Sequence, residues 1–241
     1  MVSLSSDRLA LAAIIVDLDG TMVDTLGDFE EALNRTMVDL GLPSVTRTLI
    51  ERTVGKGSEH LIRSVLTHQL ALSAATDSSE VCTARSAEAL YESAWAAYQR
   101  HYRTINGQCS AVYPGVIDGL THFKARGLPM ACLTNKPRVF ALDLLVAKGL
   151  DSFFERVFGG DSFERKKPDP LPLLKTCAAL GTPPAQTLMI GDSQNDALAA
   201  HAAGCPIALV TYGYNHGESV RAVPANAYVD RLDALVGLLV P

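Results

Sequence analysis

The chain has 241 residues, of which 48% are hydrophobic and 20% charged, and its formal net charge is −5 at pH 7. This composition is typical of a globular protein, and the length allows one large domain or a core domain that carries a smaller one. The negative charge argues against nucleic acid or an anionic membrane as a partner, because both attract basic surfaces.

Two further features of the composition bear on the compartment. No apolar run approaches the roughly 18 residues of a membrane-spanning helix, and the apolar stretch at 9–16 runs into an acidic residue without a signal-peptide cleavage site. The five cysteines are odd in number and show no CxxC spacing, as expected of reduced thiols. We therefore expect a cytoplasmic protein with no membrane partner.

The first predicted element is a buried strand that ends in two acids. The stretch "IIVDLDGTMVDT", residues 14–25, opens with three β-branched apolar residues and places Asp17 and Asp19 where the apolar run stops. Two carboxylates at ~4 Å repel by about 4 kcal/mol at an effective dielectric constant of ~20. Acids aimed together from the end of a core strand therefore indicate a site that needs a positive partner.

The next block of sequence predicts helices and no strand. The predicted helices cover 27–40, 58–70 and 79–102, and the third carries an aromatic stripe that we expect to pack as core between helices: Tyr91, Trp95, Tyr98 and Tyr102. The block is too long for a loop. We predict a helical cap at 25–104, inserted into an α/β core that comprises 1–24 and 105–241.

The second half of the chain alternates short apolar runs with amphipathic segments. The predicted strands are "LPMACL", "RVFGG", "TLMIG" and "PIALV", and the predicted helices cover 115–126, 137–148, 170–180 and 194–203. Runs without polar alternation are typical of parallel strands that are buried on both faces. The pattern predicts an α/β fold with a doubly wound parallel sheet, a Rossmann-like core.

The ends of these strands collect one kind of chemistry. Ligands of open parallel sheets bind beyond the carboxyl ends of the strands, and the polar residues at those ends are Asp17, Asp19, Thr134, Asn135, Lys167, Asp192 and Asp196. Oxygen ligands without His or Cys favour Mg²⁺, and a lysine beside them indicates an anionic substrate. Carboxylates, Mg²⁺ and a lysine around one point are typical of a phosphoryl-transfer site.

At this point the motifs resemble a known family. "DLDGT", "LTN", "KKPDP" and "GDSQND", in that order, are similar to the four-motif signature of the haloacid dehalogenase-like phosphatases, and the resemblance spans nearly the whole chain. Within that family, "LVTYGYNHGESV" at 209–220 is similar to the bacterial phosphoglycolate phosphatases. The resemblance implies a Mg²⁺-dependent phosphatase that hydrolyses 2-phosphoglycolate to glycolate and phosphate.

The resemblance also implies roles for individual residues. Asp17 would attack phosphorus and form an aspartyl-phosphate, and Asp19 would act as general acid and then as general base. Thr134 and Lys167 would bind phosphoryl oxygens, and Lys166 is expected to be a solvated neighbour. Mg²⁺ would be held by Asp17, the main-chain carbonyl of Asp19 and Asp192, while Asp196 would orient Lys167 or a metal-bound water.

Further residues are candidates for binding the substrate. Gly20, Thr21 and Asn135 lie within or beside the motifs, and Gly20 has no Cβ to hold the phosphate away from the backbone. The carboxylate of phosphoglycolate needs a second cation or a cluster of N–H donors. Lys56, in the turn "VGKGS" at 54–58, is one candidate because this turn opens a predicted helix, and Lys136 beside "LTN" is the other.

Several alternatives remain open from the sequence. A sugar-phosphate phosphatase or mutase of the same fold would share these motifs, because the cap selects the substrate. A non-enzymatic phospho-acceptor domain or a haloalkanoic acid dehalogenase also uses a strand-end aspartate, and Asp19 discriminates against both. The expected partner is a small phosphate ester and not nucleic acid, and the protein is expected to be a monomer or a homodimer.

Overall fold

A six-stranded parallel sheet organises the computed structural model of the protein, which describes residues 11–76 and 86–237. In chain order the strands of the protein are β1 Ala13–Val16, β2 Val23–Asp24, β3 Ala111–Val112, β4 Met130–Leu133, β5 Arg156–Phe158, β6 Thr187–Gly191, β7 Ile207–Val210 and β8 Ala227–Val229. The large sheet has the order β5-β4-β1-β6-β7-β8, and β2 pairs with β3 in a small antiparallel sheet. The predicted α/β fold with a parallel sheet is confirmed.

Eight α-helices flank the sheet or lie between β2 and β3 in the described part of the chain. They are α1 Leu26–Leu40, α2 Arg47–Thr53, α3 Ser58–Thr76, α4 Ala87–Ile105, α5 Val116–Ala125, α6 Arg138–Ala147, α7 Leu171–Leu180 and α8 Gln194–Ala203. The seven predicted helices are present, except that residues 79–85 of the third lie outside the described part. Among residues 11–76 and 86–237, no helix combines the length and apolar character needed to cross a bilayer.

Both faces of the large sheet are covered, and this explains the unbroken apolar runs of its strands. Ile14 and Val16 pack into one cluster of buried residues, which includes residues of α5 and α6. Ile15, between them in sequence, packs into a second cluster with residues of α7 and α8. Successive side chains of a strand point to opposite faces, so a strand that is covered on both sides carries no polar position.

The helices between β2 and β3 form a third buried cluster. Tyr98 and Tyr102 are fully buried in it, with ring centroids 5.2 Å apart, and Phe29 of α1 stacks on Tyr102 at 5.4 Å. Tyr91 and Trp95 are partly buried against the same cluster. The aromatic stripe of the sequence is thus core between helices, as predicted.

Four of the strands and helices named above were not predicted from the sequence. The strands β2 and β3 have two residues each and β8 has three, which is too short for a recognisable pattern. Helix α2 has seven residues, and its N-cap Thr46 accepts a hydrogen bond from the Leu49 amide.

Four cysteines lie in the described residues and all are free thiols, as predicted, while Cys82 lies outside them.

One buried carboxylate joins the start of the helical block to its end. Asp28, in the first turn of α1, is fully buried and accepts hydrogen bonds from the amides of Gly107 at 2.8 Å and Cys109 at 2.6 Å. The segment after α4 is thereby fixed to α1 just before the chain returns to the sheet.

We expect Asp28→Ala to lower the free energy of unfolding by about 2–3 kcal/mol, because two amides lose a charged acceptor. Asp28→Asn keeps one acceptor oxygen, so its free energy of unfolding is expected to lie between those of the parent protein and Asp28→Ala. Urea unfolding measures the effect. The control is Asp143→Ala on the exposed face of α6, with an expected change within about 0.5 kcal/mol; equal effects of the two alanine variants would contradict the assignment.

Candidate active site

The order of the strands brings the acids of two motifs together. Strand β1 lies between β4 and β6, and Val16, its last residue, is paired with Cys132 and Ile190. Asp17 follows β1 directly and Asp192 follows β6 directly. The carboxylates of Asp17, Asp192 and Asp196 are all buried, with one oxygen of each within 4.8 Å of the others.

A buried lysine holds two of these acids. Lys167 is 4% exposed, and its Nζ lies 2.9 Å from Asp17 Oδ1 and 2.7 Å from Asp196 Oδ1. The same nitrogen donates a hydrogen bond to the carbonyl of Leu133 at 2.8 Å. Although burial opposes it, the charges of Asp17 and Asp196 raise the pKa of Lys167 above its usual value. The ammonium group is therefore fixed at the end of β1.

Lys167 alone does not supply enough positive charge to compensate the buried acids. Burial raises the pKa of Asp17 from 3.8 to about 7, and the negative charge of Asp196 adds to this against the opposing effect of Lys167. Burial, then Asp196 and Asp17, raise the pKa of Asp192 well above its usual value. A cation beside Asp17 and Asp192 would relieve both, and the all-oxygen donor set fits Mg²⁺.

Asp196 is engaged differently from the other two acids. Its Oδ1 accepts from Lys167, and its Oδ2 accepts from the hydroxyl of Ser193 at 2.8 Å and from that residue's amide at 3.2 Å. The contact with the Ser193 amide is part of the capping box at the start of α8. Both oxygens of Asp196 thus have protein donors, which suits a residue that positions Lys167 better than one that binds a metal.

Gly20 and Thr21 support the acid cluster. Gly20 has a φ of +80°, and a Cβ at this position would lie 2.1 Å from Asp192 Oδ2. Thr21 is fully buried, and its hydroxyl donates to Asp192 Oδ1 at 3.3 Å. Neither residue is among the described residues that line the cavity described below, and their binding of substrate stays a prediction. They hold Asp192 in place.

Asn135 connects the strand end to the turn at 54–58. Its Nδ2 donates to the carbonyl of Gly55 at 3.0 Å and to that of Lys167 at 2.8 Å, while its Oδ1 accepts from the Lys167 amide at 3.1 Å. Asn195 of α8 donates to the same Gly55 carbonyl at 3.3 Å. Asn135 lines the cavity, and its hydrogen bonds connect the loop that carries Lys167 to the turn at 54–58.

A small cavity of about 30 Å³ lies over the acids. The predicted residues that line it are Asp17, Asp19, Thr134, Asn135, Lys136, Lys167, Asp192 and Asp196. Residues to which the sequence analysis assigned no role in the site also line it: Phe29, Ser58, Leu61, Ser193, Asn195 and Tyr214. Of these, Ser193, Asn195 and Tyr214 lie inside the quoted motifs, whereas Phe29 and Leu61 carry no signal beyond their helical periodicity.

The two lysines proposed to bind a second negative charge differ in position. Lys136 is 4% exposed and its Nζ lies 2.9 Å from Asp19 Oδ1. Lys56 is exposed and is not among the described residues that line the cavity, although Gly55 and Gly57 on either side of it are. The structure therefore brings Lys136 to the acids and does not bring Lys56 there.

Comparison with known proteins agrees with the motifs. A profile of the family described as "Haloacid dehalogenase-like hydrolase" matches residues 14–210. The chain belongs to this family. It is 40% identical to a phosphoglycolate phosphatase of Thiobacillus denitrificans, with 95% of this chain and 96% of the relative aligned.

A second relative and a solved structure match the chain over a similar length. The plasmid-encoded phosphoglycolate phosphatase of Cupriavidus necator is 41% identical, with 97% of this chain and 95% of the relative aligned. The crystal structure of a predicted phosphoglycolate phosphatase from Haemophilus somnus superposes with a TM-score of 0.86 at 30% identity and covers 95% of this chain and 98% of that one. The likeness of the whole chain to this member of the family includes the helices between β2 and β3.

The raised pKa of Asp17 predicts a pH-dependent response to metal. Because its folded-state pKa is about 7, the folded protein without metal keeps a proton that the unfolded chain loses above about pH 4. This group therefore makes the free energy of unfolding fall as the pH rises from about 4 to about 7. At pH 8, Mg²⁺ at a hundredfold excess over its Kd should raise Tm by about 5–10 °C.

The same addition at pH 5.5 should raise Tm less, because protons compete for the carboxylates. Thermal unfolding with EDTA or Mg²⁺ at both pH values measures this. Asp17→Asn should remove most of the shift. An equal shift in the variant, or a larger shift at pH 5.5 than at pH 8, would show that the ion does not bind at Asp17.

Proposed function

We propose that the protein is a Mg²⁺-dependent phosphatase that hydrolyses 2-phosphoglycolate through an aspartyl-phosphate on Asp17. The observation that supports this most directly is the buried carboxylate of Asp17 at the end of a central strand, 2.9 Å from the ammonium of Lys167. The cluster of buried acids around it and the names of the relatives point to the same activity.

The first half of the reaction transfers the phosphoryl group to the protein. An oxygen of Asp17 attacks phosphorus, the bond from phosphorus to the glycolate oxygen breaks, and Asp19 gives its proton to the departing oxygen. Mg²⁺ held by Asp17, the main-chain carbonyl of Asp19 and Asp192 would supply positive charge that lets a phosphate dianion approach these acids. Covalent catalysis of this kind divides one difficult step into two easier ones.

The second half frees the protein. Asp19 takes a proton from water, the water oxygen attacks phosphorus, and the bond to Asp17 breaks to release phosphate. Lys167 and the hydroxyl of Thr134 bind phosphoryl oxygens in both halves, and Asp196 positions Lys167 from its buried place in α8. Fixed positive groups of this kind stabilise charge that develops in the transition state.

The choice of substrate rests on the relatives and on the size of the cavity. A cavity of about 30 Å³ favours a small ester over a sugar phosphate. We further propose that residues 25–104 act as the cap that selects the substrate. We also propose that the protein works in the cytoplasm, as a monomer or a homodimer, in line with its free thiols and its negative charge.

Asp17→Asn should reduce phosphate release from 2-phosphoglycolate by at least about 1,000-fold, because an amide neither attacks phosphorus nor carries charge for the metal. Asp143→Asn on the exposed face of α6 is the control and should keep full turnover. Phosphate release is measured under saturating substrate and Mg²⁺, with circular dichroism for the fold. Substantial turnover by a folded Asp17→Asn protein would refute the mechanism.

A panel of esters separates the proposed activity from the alternatives. We expect kcat/KM for 2-phosphoglycolate to exceed that for glucose 6-phosphate and glucose 1-phosphate by about 100-fold, because a small site that binds a small anion fits a sugar ring poorly. Conversion of glucose 1-phosphate to glucose 6-phosphate without release of phosphate would instead identify a mutase. Higher activity on both sugar phosphates than on 2-phosphoglycolate would identify a sugar phosphatase.

A further inference from the structure

Lys136 is a buried cation that the phosphoryl-transfer steps described above do not use. It follows β4 by three residues and its side chain is 2% exposed. Its ammonium lies beside the rings of Phe29 and Tyr102, 4.7 and 4.8 Å from their centroids, and donates a hydrogen bond to the Tyr102 hydroxyl at 2.5 Å. Its carboxylate partner is Asp19.

Burial of the Lys136 ammonium costs free energy, and a role for its charge in binding would account for that cost. A buried ammonium loses its hydration, and a carboxylate, a hydroxyl and two ring faces compensate for that loss. The phosphoryl group already has a lysine, because Lys167 lies beside Asp17. The surroundings of Lys136 therefore indicate a second anionic group, which would bind on the far side of Asp19 from the phosphorus.

The covalent structure of phosphoglycolate fits this placement. Its carboxylate is separated from the ester oxygen by a single CH₂, and ordinary bond lengths of about 1.2–1.5 Å put a carboxylate oxygen roughly 3 Å from that ester oxygen. Asp19 must reach the ester oxygen to give its proton. A cation that reads the carboxylate must therefore lie beside Asp19, and Lys136 Nζ lies 2.9 Å from Asp19 Oδ1.

We infer that Lys136 selects the substrate by its carboxylate and exchanges Asp19 for that carboxylate when the substrate binds. The inference rests on the proposed function. An oxygen of Asp19 that is held by the ammonium cannot at the same time face the ester oxygen. Transfer of Lys136 to the substrate frees this oxygen for proton transfer, so a carboxylate-bearing ester completes the site in which it reacts.

Tyr102 is a positioning residue in this exchange. Its hydroxyl accepts from Lys136 Nζ and its ring flanks the same ammonium, so it keeps the nitrogen in place while the carboxylate partner changes. Tyr102 lies on α4 and Phe29 on α1, so two helices of the block between β2 and β3 determine where a lysine of the sheet edge points.

The test compares two esters in matched variants. The substrates are 2-phosphoglycolate and 2-hydroxyethyl phosphate, in which CH₂OH replaces the carboxylate. Lys136→Met keeps the length of the side chain without the charge, and Lys56→Met makes the same change at the exposed lysine of the turn. For Lys136→Met we expect kcat/KM to fall by ~100-fold or more on 2-phosphoglycolate and by less than ~10-fold on 2-hydroxyethyl phosphate.

Lys56→Met should keep the preference of the parent protein for 2-phosphoglycolate. Lys136→Arg should recover part of the lost activity on 2-phosphoglycolate, because it restores the charge in a different shape. Tyr102→Phe should lower the preference several-fold through KM, and this variant and Lys136→Arg decide the matter if Lys136→Met does not fold. Circular dichroism and Tm establish which variants are folded.

Two results would overturn the inference while the phosphatase activity stands. One is an equal loss on both esters in folded Lys136→Met. The other is a selective loss in Lys56→Met, which would assign the carboxylate to the turn. A parent protein that hydrolyses 2-hydroxyethyl phosphate as well as 2-phosphoglycolate would instead refute the proposed substrate.

Discussion

The crowding of buried acids around one lysine is the constraint on which the rest of the site depends. Asp17, Asp192 and Asp196 are all buried within a few ångströms, and Lys167 is shared between two of them. Burial alone would favour their protonated forms. A site that uses Asp17 as an ionised nucleophile therefore requires fixed positive charge. The neighbouring elements are arranged accordingly: β4 supplies a carbonyl to Lys167, α8 begins with Asp196, and Thr21 holds Asp192.

The residues that the structure brings together at the predicted edge are those whose position follows from the sheet itself. Asp17, Thr134 and Asp192 end adjacent parallel strands, so a strand pattern is enough to bring them to one edge. Lys167 follows the edge strand β5 by nine residues, and its place could be predicted only through the family motif. Local pattern and strand order thus account for the acids, the hydroxyl and the general position of the site.

The contacts that could not be predicted from the sequence depend on tertiary packing. Thr21 follows a glycine in a motif loop, and nothing local indicates that its hydroxyl turns inward to Asp192. Lys56 and Lys136 could not be ranked from sequence, because the choice depends on how α1 and α4 pack against the strand ends. The same is true of Tyr102: its periodicity predicts a core residue, and it is one, yet its hydroxyl also contacts the lysine beside Asp19.

The carbonyl of Gly55 joins the turn at 54–58 to two asparagines of the sheet domain. It accepts from Asn135 and Asn195, so two amide groups of the sheet domain hold the turn at 54–58 over the acids. The cavity of about 30 Å³ beneath is lined by residues of this turn and by the acids. The position of this turn over the acids therefore depends on the side chains of both asparagines. Loss of either amide would remove one of these two bonds, so the two asparagines together determine how firmly the turn is held against the sheet.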